Sequence, residues 1–222
     1  MKSFRNLIIL GTSHIAIESV NEVKRIIEDE KPEIIALELD SLRFKKLVSK
    51  KKQKFSIKSL TSSESILNSL GALIEKKLGE KVGIRPGEEM FTAINLALKN
   101  KIQLVLIDQP IQITFKRLST KITFKEKLRF IFDIVSSLIF QKKKIKIDLT
   151  KVPEKKLIKK IINEVKKRYP NIYLVLIKER NIYMAKQLTE LIKLGKKTLV
   201  IIGAGHEDDI INILKCNSQK KK

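Results

Sequence analysis

The chain has two histidines, His14 and His206, and each closes a turn of the same form, Gly11-Thr12-Ser13-His14 and Gly203-Ala204-Gly205-His206. An apolar run precedes each turn, and glycine lets the backbone bend sharply there and approach a ligand closely. Two more apolar runs end in acidic residues, Glu38-Leu39-Asp40 and Asp108-Gln109-Pro110. Imidazole and carboxylate groups gathered in one place can pass protons to and from a bound water near neutral pH. A single histidine after a strand is ordinarily a loop or capping residue. A matched pair in a chain with no other histidine points to one site. Neither turn has the G-x-G-x-x-G or P-loop form, so no nucleotide cofactor is expected.

The surrounding charges have structural roles to weigh first. Glu38 lies within the apolar stretch Ile34-Ile35-Ala36-Leu37 and Leu39, so it must pair with a cation or resist ionisation. Arg43 and Arg180 are the candidate partners. Arg180 falls on the apolar stripe Ile177, Met184, Leu188 and Leu191 of a long helix, where an arginine must meet a carboxylate or an anionic substrate group. Glu179 beside it is either a partner or faces solvent. Asp40 reads as the N-cap of the next helix. Glu88 and Glu89 open a helix, where negative side chains suit the helix dipole.

The elements that must position these groups follow from the hydrophobic pattern. Asn6–Leu10, Glu33–Leu37, Gln103–Ile107 and Thr198–Ile202 are continuous apolar runs, the signature of strands covered on both faces. Between them the periodicity predicts helices from about Ile17 to Lys31, Thr61 to Leu78, Glu88 to Leu98, Phe124 to Phe140, Pro153 to Arg168 and Ile172 to Leu194. Such alternation predicts an α/β fold, a mainly parallel central sheet with helices on both faces. The active site is then expected at the carboxyl ends of the strands. One domain over residues 1–215 is expected, with a polar surface loop at 141–155 and a basic tail at 216–222.

Of the 222 residues, 43% are hydrophobic and the formal charge is +23. Disorder throughout is excluded by that apolar content. The charge favours acidic partners in general, but the lysines are scattered and no nucleic-acid motif accompanies them, so specific nucleic-acid binding is not expected. Cys216 is the only cysteine, which excludes an internal disulfide and a cysteine-rich zinc site. Signal-peptide and transmembrane patterns are not found, and a soluble cytoplasmic protein is expected. Phe130–Phe140, with Lys125, Lys127 and Arg129 before it and Lys142-Lys143-Lys144 after, reads either as a core helix with basic ends or as a peripheral contact with an anionic membrane. Homo-oligomerisation is left open.

In order along the chain, Gly11-Thr12-Ser13-His14-Ile15, Glu38-Leu39-Asp40 with Arg43, Pro86-Gly87-Glu88-Glu89-Met90, Ile107-Asp108-Gln109-Pro110-Ile111 with Thr114-Phe115-Lys116-Arg117, Glu179-Arg180-Asn181-Ile182-Tyr183-Met184-Ala185 and Gly203-Ala204-Gly205-His206 resemble the TraB/PrgY family. That family includes pheromone-shutdown proteins and is related to Tiki and GumN proteins and, more distantly, to erythromycin esterases. The resemblance spans about residues 7–210. It implies functional roles for His14, Glu38, Glu89 and His206, and substrate-binding roles for Arg43, Asp108, Arg117 and Arg180. For the TraB branch the implied activity is a hydrolase or protease acting on a peptide or a small ester or amide. Two departures stand out. The family usually carries arginine where this chain has Gln109, and many prokaryotic members continue into membrane-spanning helices after the last G-x-x-H helix.

Three mechanisms fit these residues. His14, His206, Glu38 and Glu89 could hold a divalent ion, with zinc, manganese and cobalt all suited to mixed nitrogen and oxygen ligands. A histidine oriented by Glu38 or Glu89 could instead activate water without a metal. The same cleft could also hold a peptide without turning it over, as a regulatory binding protein would.

Overall fold

The computed structural model describes residues 1–13, 17–49, 87–139 and 155–219. His14, the helix expected from Thr61 to Leu78 and the polar stretch 141–154 lie outside the described residues. In chain order the elements are β1 (Lys2–Phe4), β2 (Leu7–Thr12), α1 (Ile17–Glu30), β3 (Ile34–Leu37), α2 (Ser41–Ser49) and α3 (Glu88–Lys99). They continue with β4 (Gln103–Leu106), α4 (Ile111–Lys121), α5 (Phe124–Ile139), α6 (Lys155–Arg168) and α7 (Pro170–Tyr173). A π-helical stretch, Leu174–Glu179, then runs straight into α8 (Arg180–Lys193), followed by β5 (Thr198–Gly203) and α9 (Glu207–Gln219).

The strands form one sheet in the order β1-β2-β5-β3-β4. β2, β5, β3 and β4 are parallel, and β1 pairs antiparallel on the edge. The expected α/β architecture is therefore present. The sequence pattern gave no sign of β1, which has three residues and no continuous apolar run. A tight turn at Arg5 and Asn6 brings it back onto β2; Arg5 takes the left-handed φ of 55° that such two-residue hairpins demand.

Alternate residues of each parallel strand enter opposite halves of the core. Leu7, Ile9, Ile34, Ala36, Val200 and Ile202 pack with Met184 and Leu188 of α8 and Ile210 and Leu214 of α9. Ile8, Leu10, Ile35, Leu37, Leu199 and Ile201 pack with Val23, Ile26 and Ile27 of α1 and Met90, Ala93, Ile94 and Ala97 of α3. Both faces are covered, which is why these strands are apolar without alternation. Each such fully buried side chain contributes about 1.5–3 kcal/mol relative to an exposed one.

Helix α4 is an addition to the sequence reading. Its polar residues Gln112, Lys116, Ser119 and Thr120 are exposed and only Thr114 and Leu118 are buried, so its apolar stripe is too thin to show a period. The long helix expected from Ile172 is present, but it widens into π register before Arg180. Farther out, Phe124, Leu128 and Phe132 of α5 are exposed at successive turns. No helix among the described residues is long and apolar enough to cross a membrane.

Candidate functional site

Because β2, β5, β3 and β4 run the same way, the segments that follow them emerge at one edge. The two glycine turns meet there. The Ala204 N–H donates to Thr12 O at 2.9 Å, and a Cβ at Gly11 would stand 3.1 Å from Ala204 Cα. Only glycine allows so close an approach without the backbone shifting. Ser13 N–H donates to Ser19 Oγ at 3.0 Å, tying the first turn to α1. His206 follows β5 with its backbone held at both ends. Its N–H donates to Gly203 O at 2.9 Å, and its carbonyl accepts from Ile210 N–H at 3.0 Å as α9 begins.

Glu38 extends from β3 toward the same turn and is 4% exposed. Its Oε2 accepts the Gly203 N–H at 2.6 Å, and its Oε1 is paired with Arg180 and lies 3.4 Å from His206 Nε2. Of the two candidate partners for Glu38, the structure selects Arg180. Arg180 also reaches Asp108, which follows β4, through Nε to Oδ1 at 3.0 Å and through Nη2 to Oδ2. Burial works against the Arg180 charge, but Glu38 and Asp108 outweigh it and raise its pKa above the ordinary arginine value. Where the π-helical stretch meets α8, the Arg180 backbone N–H donates to Ile177 O, three residues back, and Nη1 donates to Leu176 O at 3.2 Å, anchoring the guanidinium to its own helix. Such bulges commonly occur at functional sites.

Arg43 bridges Asp108 and Asp40, donating to Asp40 Oδ2 through Nε at 2.6 Å. Asp40 caps α2 as expected, its Oδ1 accepting from Leu42 N–H at 2.8 Å and Arg43 N–H at 3.2 Å. Burial opposes ionisation of Asp40, yet the Arg43 side chain and these backbone donors prevail and hold its carboxyl below the usual range. Glu179 does not serve Arg180: it pairs with Arg117 of α4, at 3.1 Å through Nε, and that pairing lowers its pKa. Gln109, the departure from the arginine usual in the family it resembles, is buried and donates Nε2 to Thr114 Oγ1 at 3.0 Å. The positive charge beside Asp108 comes instead from Arg43 and Arg180.

Glu38, Asp108, Arg43, Arg180 and His206 are thus brought together. Arg117 stands one residue removed, at Glu179. Glu89 is buried in the first turn of α3, whereas its neighbour Glu88 is only half-buried, so the helix dipole alone does not account for it. Asn181 was not singled out as a candidate: it is buried, and its Oδ1 contacts His206 Nδ1 at 2.5 Å. The clue available was its place directly after Arg180.

For a metal ion the fit is partial. The 3.4 Å between His206 Nε2 and Glu38 Oε1 is the spacing of two ligands about 2.1 Å from one tetrahedral ion. Among the described residues, however, no three of His, Cys, Asp and Glu are grouped to hold one.

A mainly parallel α/β domain whose strand ends gather an imidazole and buried carboxylates, crossed by arginines from two helices, defines the class of protein. The chain belongs to the TraB/PrgY/gumN family, whose profile matches residues 2–219. It is 36% identical to an uncharacterized protein of Methanocaldococcus jannaschii over 95% of this chain and 53% of that protein. It is 24% identical to the human TraB domain-containing protein over 82% of this chain and 51% of the relative, and the mouse protein of that name matches to the same extent. The chain spans about half the length of these relatives.

Proposed function

We propose that the chain is a hydrolase of peptides or of small esters or amides, with the His206–Glu38 pair as its working centre. The observation that carries this reading is the 3.4 Å approach of His206 Nε2 to a Glu38 carboxylate that Arg180 and the Gly203 N–H already fix in place. An imidazole in that position can take a proton from water while the carboxylate orients it and balances the charge that develops. Arg43 and Arg180 would steady the substrate carbonyl or carboxylate, and Asp108 holds both guanidiniums in position.

A metal-dependent version has its own support. Three carboxylates, Glu38, Asp40 and Asp108, meet two guanidiniums, Arg43 and Arg180, in the described cluster. Beside them, His206 Nε2 and Glu38 Oε1 stand 3.4 Å apart, the spacing of two ligands of one ion. Zinc, manganese or cobalt, held by His206 and Glu38 with His14 as the further expected ligand, would polarise a carbonyl and acidify a bound water; Glu89, the fourth expected ligand, is not grouped with His206 and Glu38.

The test is hydrolysis of a library of short peptides and chromogenic esters by the purified chain, alongside its metal content. Substituting His206→Ala or Glu38→Gln is expected to lower turnover by about 10²–10⁴-fold. Turnover that survives chelation selects the metal-free version. Stoichiometric metal, lost on His206→Ala, selects the other. Peptide binding without turnover in the parent chain would sink both and favour a regulatory binding protein.

A further inference from the structure

We infer that Asn181 and Asp209 form a relay that sets the tautomer of His206, holding its proton on Nδ1 and leaving the lone pair on Nε2, where Nε2 and Glu38 can face the same water or cation. This rests on His206 being the working imidazole and assigns a positioning role to two residues outside that centre.

The geometry carries it. Asn181 is 1% exposed and stands in the first turn of α8, directly after Arg180. Its Nδ2 donates to Asp209 Oδ2 at 3.2 Å, and its Oδ1 meets His206 Nδ1 at 2.5 Å. A carboxylate oxygen offers no proton, so Asp209 requires the amide nitrogen to face it and the amide oxygen to face the ring. Both ring nitrogens face acceptors, Nδ1 at 2.5 Å from Asn181 Oδ1 and Nε2 at 3.4 Å from Glu38 Oε1, and only the first is close enough for a strong N–H···O bond, so the single hydrogen of the neutral ring belongs on Nδ1. His206 backbone hydrogen bonds to Gly203 and Ile210 fix the point from which the ring projects. Nε2 is then the nitrogen that accepts, whether it meets a water proton or a cation. Asn181 and Asp209 are contributed by α8 and α9, so two helices packed on one face of the sheet fix the chemistry of one imidazole.

The test reads the ring directly and needs no turnover. Long-range ¹H–¹⁵N correlation spectra of the metal-free, ¹⁵N-labelled chain report which ring nitrogen is protonated. With two histidines in the sequence, a His14→Gln variant assigns the signals. In alkaline solution, where the ring is neutral, the Nδ1–H form of His206 is expected to dominate by about tenfold, the worth of one buried hydrogen bond. Asn181→Leu and Asp209→Leu are each expected to erase that preference. The swapped pair Asn181→Asp/Asp209→Asn still presents an oxygen to the ring and is expected to keep it. A dominant Nε2–H form in the parent chain, or a preference unchanged in Asn181→Leu, would overturn the relay. Neither result would bear on whether the chain hydrolyses anything, and failure to find turnover would leave the tautomer readings standing.

Discussion

Two charge clusters use nearly the same residue types and differ in almost everything else. At the strand ends, Arg180 sits between Glu38 and Asp108, with its side chain 14% exposed and that of Asp108 fully buried. On the outer layer, Asp133 of α5 takes Arg168 and Tyr169 at the end of α6, and Arg129 donates to Arg168 O at 2.7 Å. Phe130 packs edge-on against Tyr169 beside it. In the outer cluster water and salt screen each charge, so the pairing fixes where two helices touch and adds little energy. In the inner one, each charge has been taken from water and depends on its partners. The contrast shows that an ion pair acquires structural consequence from the surroundings it has lost.

The largest break in this comparison comes from removing the central guanidinium. Arg180→Met is expected to cost about 3–5 kcal/mol in urea unfolding, because Glu38 and Asp108 are left charged and buried. Arg168→Met should leave the unfolding midpoint close to that of the parent chain. Equal losses in the two variants would erase the distinction. Next is Gly11→Ala, where the new methyl meets Ala204 Cα at 3.1 Å and Glu207 Oε2 at 3.2 Å. A loss of about 1–3 kcal/mol is expected in the same titration, with the two turns forced apart.

Acid provides a smaller test that acts on the outer layer. The hydrogen bond from Arg168 lowers Asp133, and that from Lys159 lowers Asp208, each from 3.8 to about 2. Carboxyls depressed in the folded state stabilise it above about pH 4, and that contribution fades as pH falls through about 2. Amide exchange measured from pH 5 downward should therefore show α5 and α6 loosening first. Arg180, whose pKa is raised, keeps its charge throughout. The smallest effect is that of salt: raising it to about 0.5 M shortens the screening length to a few ångströms. It should speed exchange near Arg168 and leave amides near Arg180 unchanged.

The sheet and most helices were legible because burial on both faces writes itself into composition. Leu7–Leu10 and Thr198–Ile202 have no polar face to interrupt them. The strand-end placement of Glu38, Asp108 and His206 followed from those same runs. What escaped was whatever depends on a partner remote in sequence. Glu38 had two arginines within reach on paper, and only the fold selects Arg180. Glu179 looked like a partner for its neighbour but turns to Arg117, 62 residues away. A π-helical widening leaves the apolar stripe nearly intact, so periodicity passes over it. Asn181 has no significance until α9 supplies Asp209.

The strand order has a consequence for how the molecule comes into being. β5 is the last of the described strands in sequence yet lies between β2 and β3, pairing with both. Until it arrives, β2 and β3 have no neighbour in common, and the sheet is two separate fragments with open edges. Synthesis proceeds from the N-terminus, so β2, β3 and β4 must wait, incompletely paired, for residues 198–203 to leave the ribosome. Pairings so distant in sequence close slowly. The strand that joins the halves leads directly into His206 and, with α9, Asp209, so the sheet and the candidate site are completed by one stretch of chain.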